Sequence, residues 1–225
     1  MNLKIITVLI SVVVLSAFSK MQSKKKILFF GDSITQAGAN PGGYIRIFDT
    51  LLKTKGLDKN YETIGAGVSG NKVYDLYLRM EDDVLAKNPD VVVIYIGIND
   101  VWHKASSGTG TDKDKFERFY TAIIKKLQAK NIKVYVCTPS VIGELKDSRN
   151  QQDGDLNAYG DVIRGLSKTY NCPLIDLRSA FINYDAQNNA ENKDRGILTT
   201  DRVHLNPAGN QLVAGEMMKA LGIPQ

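Results

Sequence analysis

Ile27-Leu28-Phe29-Phe30-Gly31-Asp32-Ser33-Ile34-Thr35 opens on four bulky apolar residues and then turns abruptly polar. Such a run, halted by glycine, reads as a buried strand with Ser33 just past its end. The pattern recurs at Tyr61–Ile64, Val91–Ile96, Ile132–Cys137 and Leu174–Leu177. The third and fourth runs are rich in β-branched residues and lack a polar face, as expected of strands covered on both sides. Between the runs, helical periodicity predicts helices over Tyr44–Lys55, Val73–Lys87, Asp114–Lys130 and Leu156–Tyr170. A last helix is predicted from the Asn206-Pro207 cap to Leu221, before Gly222. Regular strand–helix alternation implies a parallel sheet with right-handed crossovers and helices on both faces. The expected fold is a single three-layer α/β/α domain over residues 27–225, with five parallel strands in the order 2-1-3-4-5.

The bulk properties agree with one domain. The chain has 225 residues, 43% apolar and 24% charged, with no repeat or low-complexity tract. The net charge is +5, yet the only tight basic run is Lys24-Lys25-Lys26. No basic stripe interleaved with aromatics exists, so a nucleic-acid partner is not expected. Lys4, the apolar run Ile5–Phe18 and the small residues of Ala17-Phe18-Ser19 read as a secretory signal peptide over 1–19, followed by a basic linker over 20–26. The run is shorter than the roughly 20 residues of a membrane-spanning helix. A secreted or periplasmic protein with no stable membrane span after cleavage is expected, a retained N-terminal anchor being the alternative. Cys137 ends one predicted strand and Cys172 precedes the next. In a parallel sheet those positions lie on the order of 10 Å apart, too far for the roughly 7 Å limit of a disulfide. Both are read as buried free thiols without a metal role.

Ser33, Gly70 and Asn99 follow the first, second and third strands, at the carboxyl edge where open parallel sheets bind ligands. In the 2-1-3-4-5 order, Ser33 and Asn99 flank the switch point. A serine hydroxyl needs a base to take its proton as it attacks. The chain has 2 histidines, His103 and His204. His204 has Asp201 three residues earlier, within reach of its Nδ1; His103 reads as a loop or rim residue. A tetrahedral intermediate also needs hydrogen-bond donors for its negative oxygen. The candidates are the backbone N–H groups of Ser33 and Gly70 and the side-chain amide of Asn99.

Gly31-Asp32-Ser33-Ile34, Gly67-x-Ser69-Gly70, Gly97-x-Asn99-Asp100 and Asp201-x-x-His204 together resemble the four blocks of the GDSL/SGNH hydrolase superfamily, in the same order. The resemblance spans Ile27 to the last helix. It implies a flavodoxin-like fold and ester hydrolysis through a triad of Ser33, His204 and Asp201. It also implies an oxyanion hole from Ser33, Gly70 and Asn99, with no metal and no cofactor. Two departures stand out: Ile34 replaces the commoner leucine, and Gly65 stands where the second block often opens with asparagine. The latter removes a supporting hydrogen bond expected at the Gly70 turn.

Other patterns carry less. Gly65-x-Gly67-x-x-Gly70 matches the dinucleotide fingerprint as a string, but the acid that should end the next strand is missing, and Asp90 precedes that strand, at the wrong edge. Ser69 is followed at once by Gly70, so the Gly-x-Ser-x-Gly elbow is absent. Asp153-x-Asp155-x-Asn157 lacks the glycine and terminal glutamate of a calcium loop, and reads as the start of a helix. The segments Ala105–Asp112 and Asn183–Lys193 read as polar loops, unlike the broad apolar surface a long-chain lipase presents. Tyr44, Trp102 and Tyr184 offer flat faces for a sugar ring. The expected substrate is a glycan ester carrying acetyl or another short acyl group. The alternatives are a small-molecule short-chain ester, a lysophospholipid, or a glycan-binding module without catalysis.

Overall fold

The apolar run at 27–30 forms the middle of β1 (Lys25–Gly31) in a computed structural model that describes residues 23–223. The predicted signal segment, 1–19, lies outside the described residues. After β1 come α1 (Ser33–Gly38), α2 (Tyr44–Thr54), β2 (Tyr61–Gly67) and α3 (Val73–Asp83). A 3₁₀ turn at Leu85–Lys87 leads into β3 (Val91–Tyr95), α4 (Ile98–Ser107), α5 (Lys113–Gln128) and β4 (Lys133–Cys137). The chain continues through α6 (Asp153–Thr169), β5 (Leu174–Ile175), α7 (Leu177–Asn188) and α8 (Pro207–Ala220). All strand pairs are parallel, and the order is β2-β1-β3-β4-β5, as expected.

Packing follows the apolar spacing. α2 buries Tyr44, Ile45, Phe48 and Leu52, and α5 buries Phe116, Tyr120, Ile123, Ile124 and Leu127. Each set forms one face of a 3.6-residue repeat. α2 packs on α8 and α8 on α7, whereas α3 packs on α5 and α5 on α6, giving the two helical layers. Every residue of β3 is buried. Phe29 of β1 meets the rings of Tyr44 and Phe48 edge-on, at 5.8 and 5.5 Å. Burying one such side chain stabilises by about 1.5–3 kcal/mol.

Three expectations need correction. The last strand stops at Ile175, because Asp176 turns its carboxylate onto the Ser179 amide, 3.2 Å away, and caps α7. α7 takes residues 177–188, so Asn183–Asn188 are helical rather than part of a polar loop. Likewise α4 runs to Ser107, and the expected loop at 105–112 begins only at Gly108, whose φ of 68° ends the helix. Both cysteines are buried free thiols, as read from their spacing.

Candidate active site

The carboxyl ends of β1, β2 and β3 carry the first three sequence blocks. Asp32 caps α1 by accepting the Ile34 N–H at 3.0 Å, which places Ser33 at the helix's first position. A first-turn N–H has no acceptor within its own helix and faces outward. Gly67 brings β2 against α1 so closely that a Cβ there would collide with the Thr35–Gln36 backbone. Gly70 follows in a turn with φ 77°, in the region that favours glycine, and open space lies where its Cβ would point.

Asn99 is 2% exposed at the start of α4. Its Nδ2 donates to the Asn71 carbonyl at 3.0 Å, leaving its second hydrogen for another acceptor. That bond ties the third block to the second, immediately beyond Gly70. The first and second blocks are tied by Val68 N–H to Gly31 O at 3.2 Å and by Ser69 N–H to Gln36 Oε1 at 3.0 Å.

The fourth block reaches the same edge from an irregular segment ahead of α8. Ser33 Oγ lies 3.0 Å from His204 Nε2, and His204 Nδ1 lies 2.7 Å from Asp201 Oδ2. Asp201 Oδ1 accepts the backbone N–H groups of Val203 and His204 at 3.1 and 2.8 Å, closing the turn on itself. Partial burial pushes the Asp201 carboxyl up, but the amides of His204 and Val203 and the imidazole outweigh it, and its pKa falls below 3.8. The turn contains a strained residue: Arg202 has φ 84°, uncommon for a side chain with a Cβ. The whole segment is anchored by Glu144, a buried carboxylate that accepts the amides of Ile197, Leu198 and Thr199 at 2.8, 2.8 and 2.5 Å.

Of the five expected site residues, Ser33, His204 and Asp201 are linked directly, and Gly70 and Asn99 meet through Asn71. His103 lies in α4 beside Trp102, at 5.5 Å between rings, and partial burial with Lys72 nearby lowers its pKa. Trp102 stands edge-on to His204 at 6.3 Å and borders a groove of ≈ 340 Å³ with Ser106, Gln152, Asp201 and Arg202. The other two aromatic expectations fail. Tyr44 is buried in the core with its hydroxyl on Thr35 Oγ1 at 3.0 Å, and Tyr184 borders a hollow with Ala208 and Leu212 of α8.

Several supporting residues escaped the sequence reading. Arg79 donates to Asn71 Oδ1 at 2.6 Å, Gly31 O at 2.8 Å and Ala66 O at 3.0 Å, clamping the ends of β1 and β2 to the turn that holds Asn99. Asp100, beside Asn99, accepts the Val73 N–H at 3.2 and 3.3 Å. Burial raises Asp32 to about 7 and Asp100 to about 6. Asp32 and Asp100 stood inside quoted motifs, a signal that position alone left without a role. Arg79 gave none, since one arginine on a helix looks like any solvated charge.

The competing patterns resolve as well. Asp90 binds the Lys26 N–H at 2.7 Å at the amino edge of the sheet, opposite the Gly65–Gly70 turn. Asp153 and Asn157 are held by the Arg178 guanidinium at 2.7 and 2.9 Å, so a cation of the protein itself takes the place read as calcium-like.

A family model described as GDSL-like Lipase/Acylhydrolase matches residues 29–212. An acetylxylan esterase of Geobacillus stearothermophilus is 30% identical over 221 residues, covering 90% of this chain and 96% of the relative. The crystal structure of the acetyl xylan esterase AlAXEase superposes with a TM-score of 0.86 at 64% identity, covering 87% of this chain and 99% of that one. A Geobacillus stearothermophilus acetylxylan esterase structure gives a TM-score of 0.78 at 27% identity, over 91% and 97% of the two chains.

Proposed function

This chain belongs to the GDSL-like lipase/acylhydrolase family, and on that premise we propose that it removes acetyl or other short acyl groups from a carbohydrate. It is a carboxylic ester hydrolase, as its similarity to acetylxylan esterases indicates. In this reading Ser33 is the nucleophile, His204 the general base and Asp201 the carboxylate behind it. The observation that carries it is the unbroken line from Ser33 Oγ through His204 to Asp201, at 3.0 and 2.7 Å.

Attack of Ser33 Oγ on the ester carbonyl passes the Oγ proton to His204 Nε2. Asp201 keeps the Nδ1 proton in place and stabilises the imidazolium. The carbonyl oxygen becomes negative and meets the N–H groups of Ser33 and Gly70 and the Asn99 amide, each donor lowering the barrier by about 2.7–4 kcal/mol. Collapse returns the proton to the departing sugar oxygen and leaves the acyl group on Ser33. Water, deprotonated by the same imidazole, then releases the acid. No step calls for a metal or a cofactor.

The polar groove beside Trp102 supports a sugar as the alcohol, since an indole face and amide side chains suit a ring of C–H and O–H groups. Lys4 and the apolar run Ile5–Phe18 support a secreted or periplasmic location, where a polymeric glycan is met. No helix among the described residues is long and apolar enough to cross a membrane. The test is acetate release from acetylated xylo-oligosaccharides beside an aryl-ester series of rising acyl length. Release from the glycan and decline beyond short acyl chains are expected. A preference for long chains with an inert glycan would overturn the proposal.

A further inference from the structure

Between residues 141–150 and α7 lies a cavity of ≈ 390 Å³, separate from the line of Ser33, His204 and Asp201. That volume lies within the roughly 300–1,000 Å³ of small-molecule sites. Most of its polar lining is satisfied internally. Arg178 donates to Asp153 Oδ1 at 2.7 Å, Asn157 Oδ1 at 2.9 Å and Ser140 O at 3.1 Å. Asp153 Oδ2 accepts both the N–H and the side-chain amide of Asn150, at 2.9 and 3.0 Å.

Asp185 is the exception. It borders the cavity at 5% exposure, and its Oδ1 has no hydrogen-bond partner among the described residues. Burial raises its pKa to about 7, the nearby Glu144 adding to the rise and Arg178 opposing it. Leaving a buried polar group unpaired forfeits the hydrogen bond that water would have given it. A carboxyl held in that condition beside a cavity is an acceptor set for a donor.

The surroundings decide the class of ligand. Lys146 borders the cavity with an ammonium that forms no ion pair among the described residues, and Ser148 adds a hydroxyl. Leu145 and Ile182 form an apolar wall, and Ile182 is 45% exposed, one of the few large apolar side chains left at the surface. An anion would meet Asp185 and an organic cation would meet Lys146. A ring of hydroxyls suits both, because each hydroxyl donates and accepts, while its C–H face rests on the wall. The cavity also adjoins the catalytic turn: Gly143 on its rim donates its N–H to Arg202 O at 2.8 Å, and Arg202 follows Asp201.

We propose that this cavity is a second saccharide-binding site, taking an unesterified sugar unit of the glycan class whose esters are cut at Ser33. The choice of glycan rests on the esterase reading above. The test is a titration of isotope-labelled Ser33→Ala protein with xylotriose, followed by NMR at the Ile182 and Ala186 methyls. The Trp102 indole reports separately on the active-site groove. Saturable shifts at both methyls are expected, weakened at least tenfold by Asp185→Asn, an uncharged variant that is easier to bury. Ala186→Phe, which fills the cavity from its wall, abolishes the shift at the remaining reporter, the Ile182 methyl. Methyls that stay still in the Ser33→Ala protein, or an Ile182 methyl that responds in both variants as it does without them, overturn the proposal. Acetate release from acetylated xylo-oligosaccharides by the wild-type protein separates the two readings. Release with still methyls removes the cavity site alone, and moving methyls without release removes the glycan-ester reading alone.

Discussion

The two halves of the site are built in opposite ways. Ser33, Gly70 and Asn99 stand at the ends of sheet strands, over the buried Asp32 and Asp100 and under the clamp of Arg79. Asp201 and His204 ride on a segment without helix, their side chains 51% and 36% exposed. The donors that meet a developing charge have to be in place beforehand, because reorienting them during the reaction would cost the barrier they lower. In the proposed mechanism His204 and Asp201 move a proton, and such a pair needs access to water for the second half of the cycle. Rigidity and exposure are thus divided between a sheet edge and a loop.

The harshest way to break this division is to cut the line between the halves. Ser33→Ala and His204→Ala should each lower kcat on an aryl acetate by about 10⁴-fold or more, with circular dichroism unchanged, whereas His103→Ala should have a small effect. A reversed ranking of the histidines would dismantle the proposed triad. Within the rigid half, Asn99→Ala should lower kcat by about 10²- to 10³-fold with little change in KM. A large rise in KM at constant kcat would make Asn99 a substrate-gripping residue. Arg79→Ala should lower kcat by roughly tenfold and stability by about 1.5–3 kcal/mol, the worth of a lost charged hydrogen bond, with Arg79→Lys recovering only part. A stability loss with unchanged kcat would detach Arg79 from the oxyanion donors.

Acid and base treat the halves differently too. Asp32 and Asp100 have folded pKa values of about 7 and about 6, raised by burial from 3.8. Between those limits the folded chain holds protons that the unfolded chain has released, so both residues erode stability as pH rises. Asp201 has a lowered pKa, so its contribution is present above 3.8 and disappears as pH falls through its folded value. Urea midpoints should therefore fall less steeply from about pH 4 to about pH 7 in Asp32→Asn than in the wild type. In Asp201→Asn the loss on acidification below about pH 4 should be the shallower one. Parallel curves would mean that neither carboxyl titrates differently on unfolding. The smallest effect belongs to the strained turn. Arg202→Gly removes a backbone cost of about 1 kcal/mol and an exposed ion pair to Asp194 at 3.6 Å, so the melting temperature should rise by a few degrees. A fall would show that the arginine side chain stabilises more than its backbone costs.

The sequence carried the rigid half further than the flexible one. β1 and β3 are continuous apolar runs bounded by glycine, and the register of β1 with β2 and β3 puts Gly31 opposite Gly67 and Tyr95. Such runs are legible because burial on both faces leaves no polar residue to blur them. α4 and α7 were not legible. Each begins at a motif or cap that resembles a turn, Gly97-Ile98-Asn99 and Asp176, and α7 is polar over its final turns. The fourth block was readable as a local spacing, Asp201 to His204. What holds it was not: Glu144 is fifty-three to fifty-five residues from the amides it binds, and such distant partners leave no periodic trace.

The hydrogen bond between Ser33 and His204 joins positions 171 residues apart. Its consequence lies in time rather than geometry. A growing chain holds the Ser33 hydroxyl and the proposed oxyanion donors long before the His204 imidazole has been synthesised. Domains assemble as units once their distant pairings can close, so a nascent or truncated chain carries the proposed nucleophile without its proposed base. On the proposed triad, ester cleavage begins only when the segment ahead of α8 has joined the sheet, and the order of synthesis itself keeps the unfinished molecule inert.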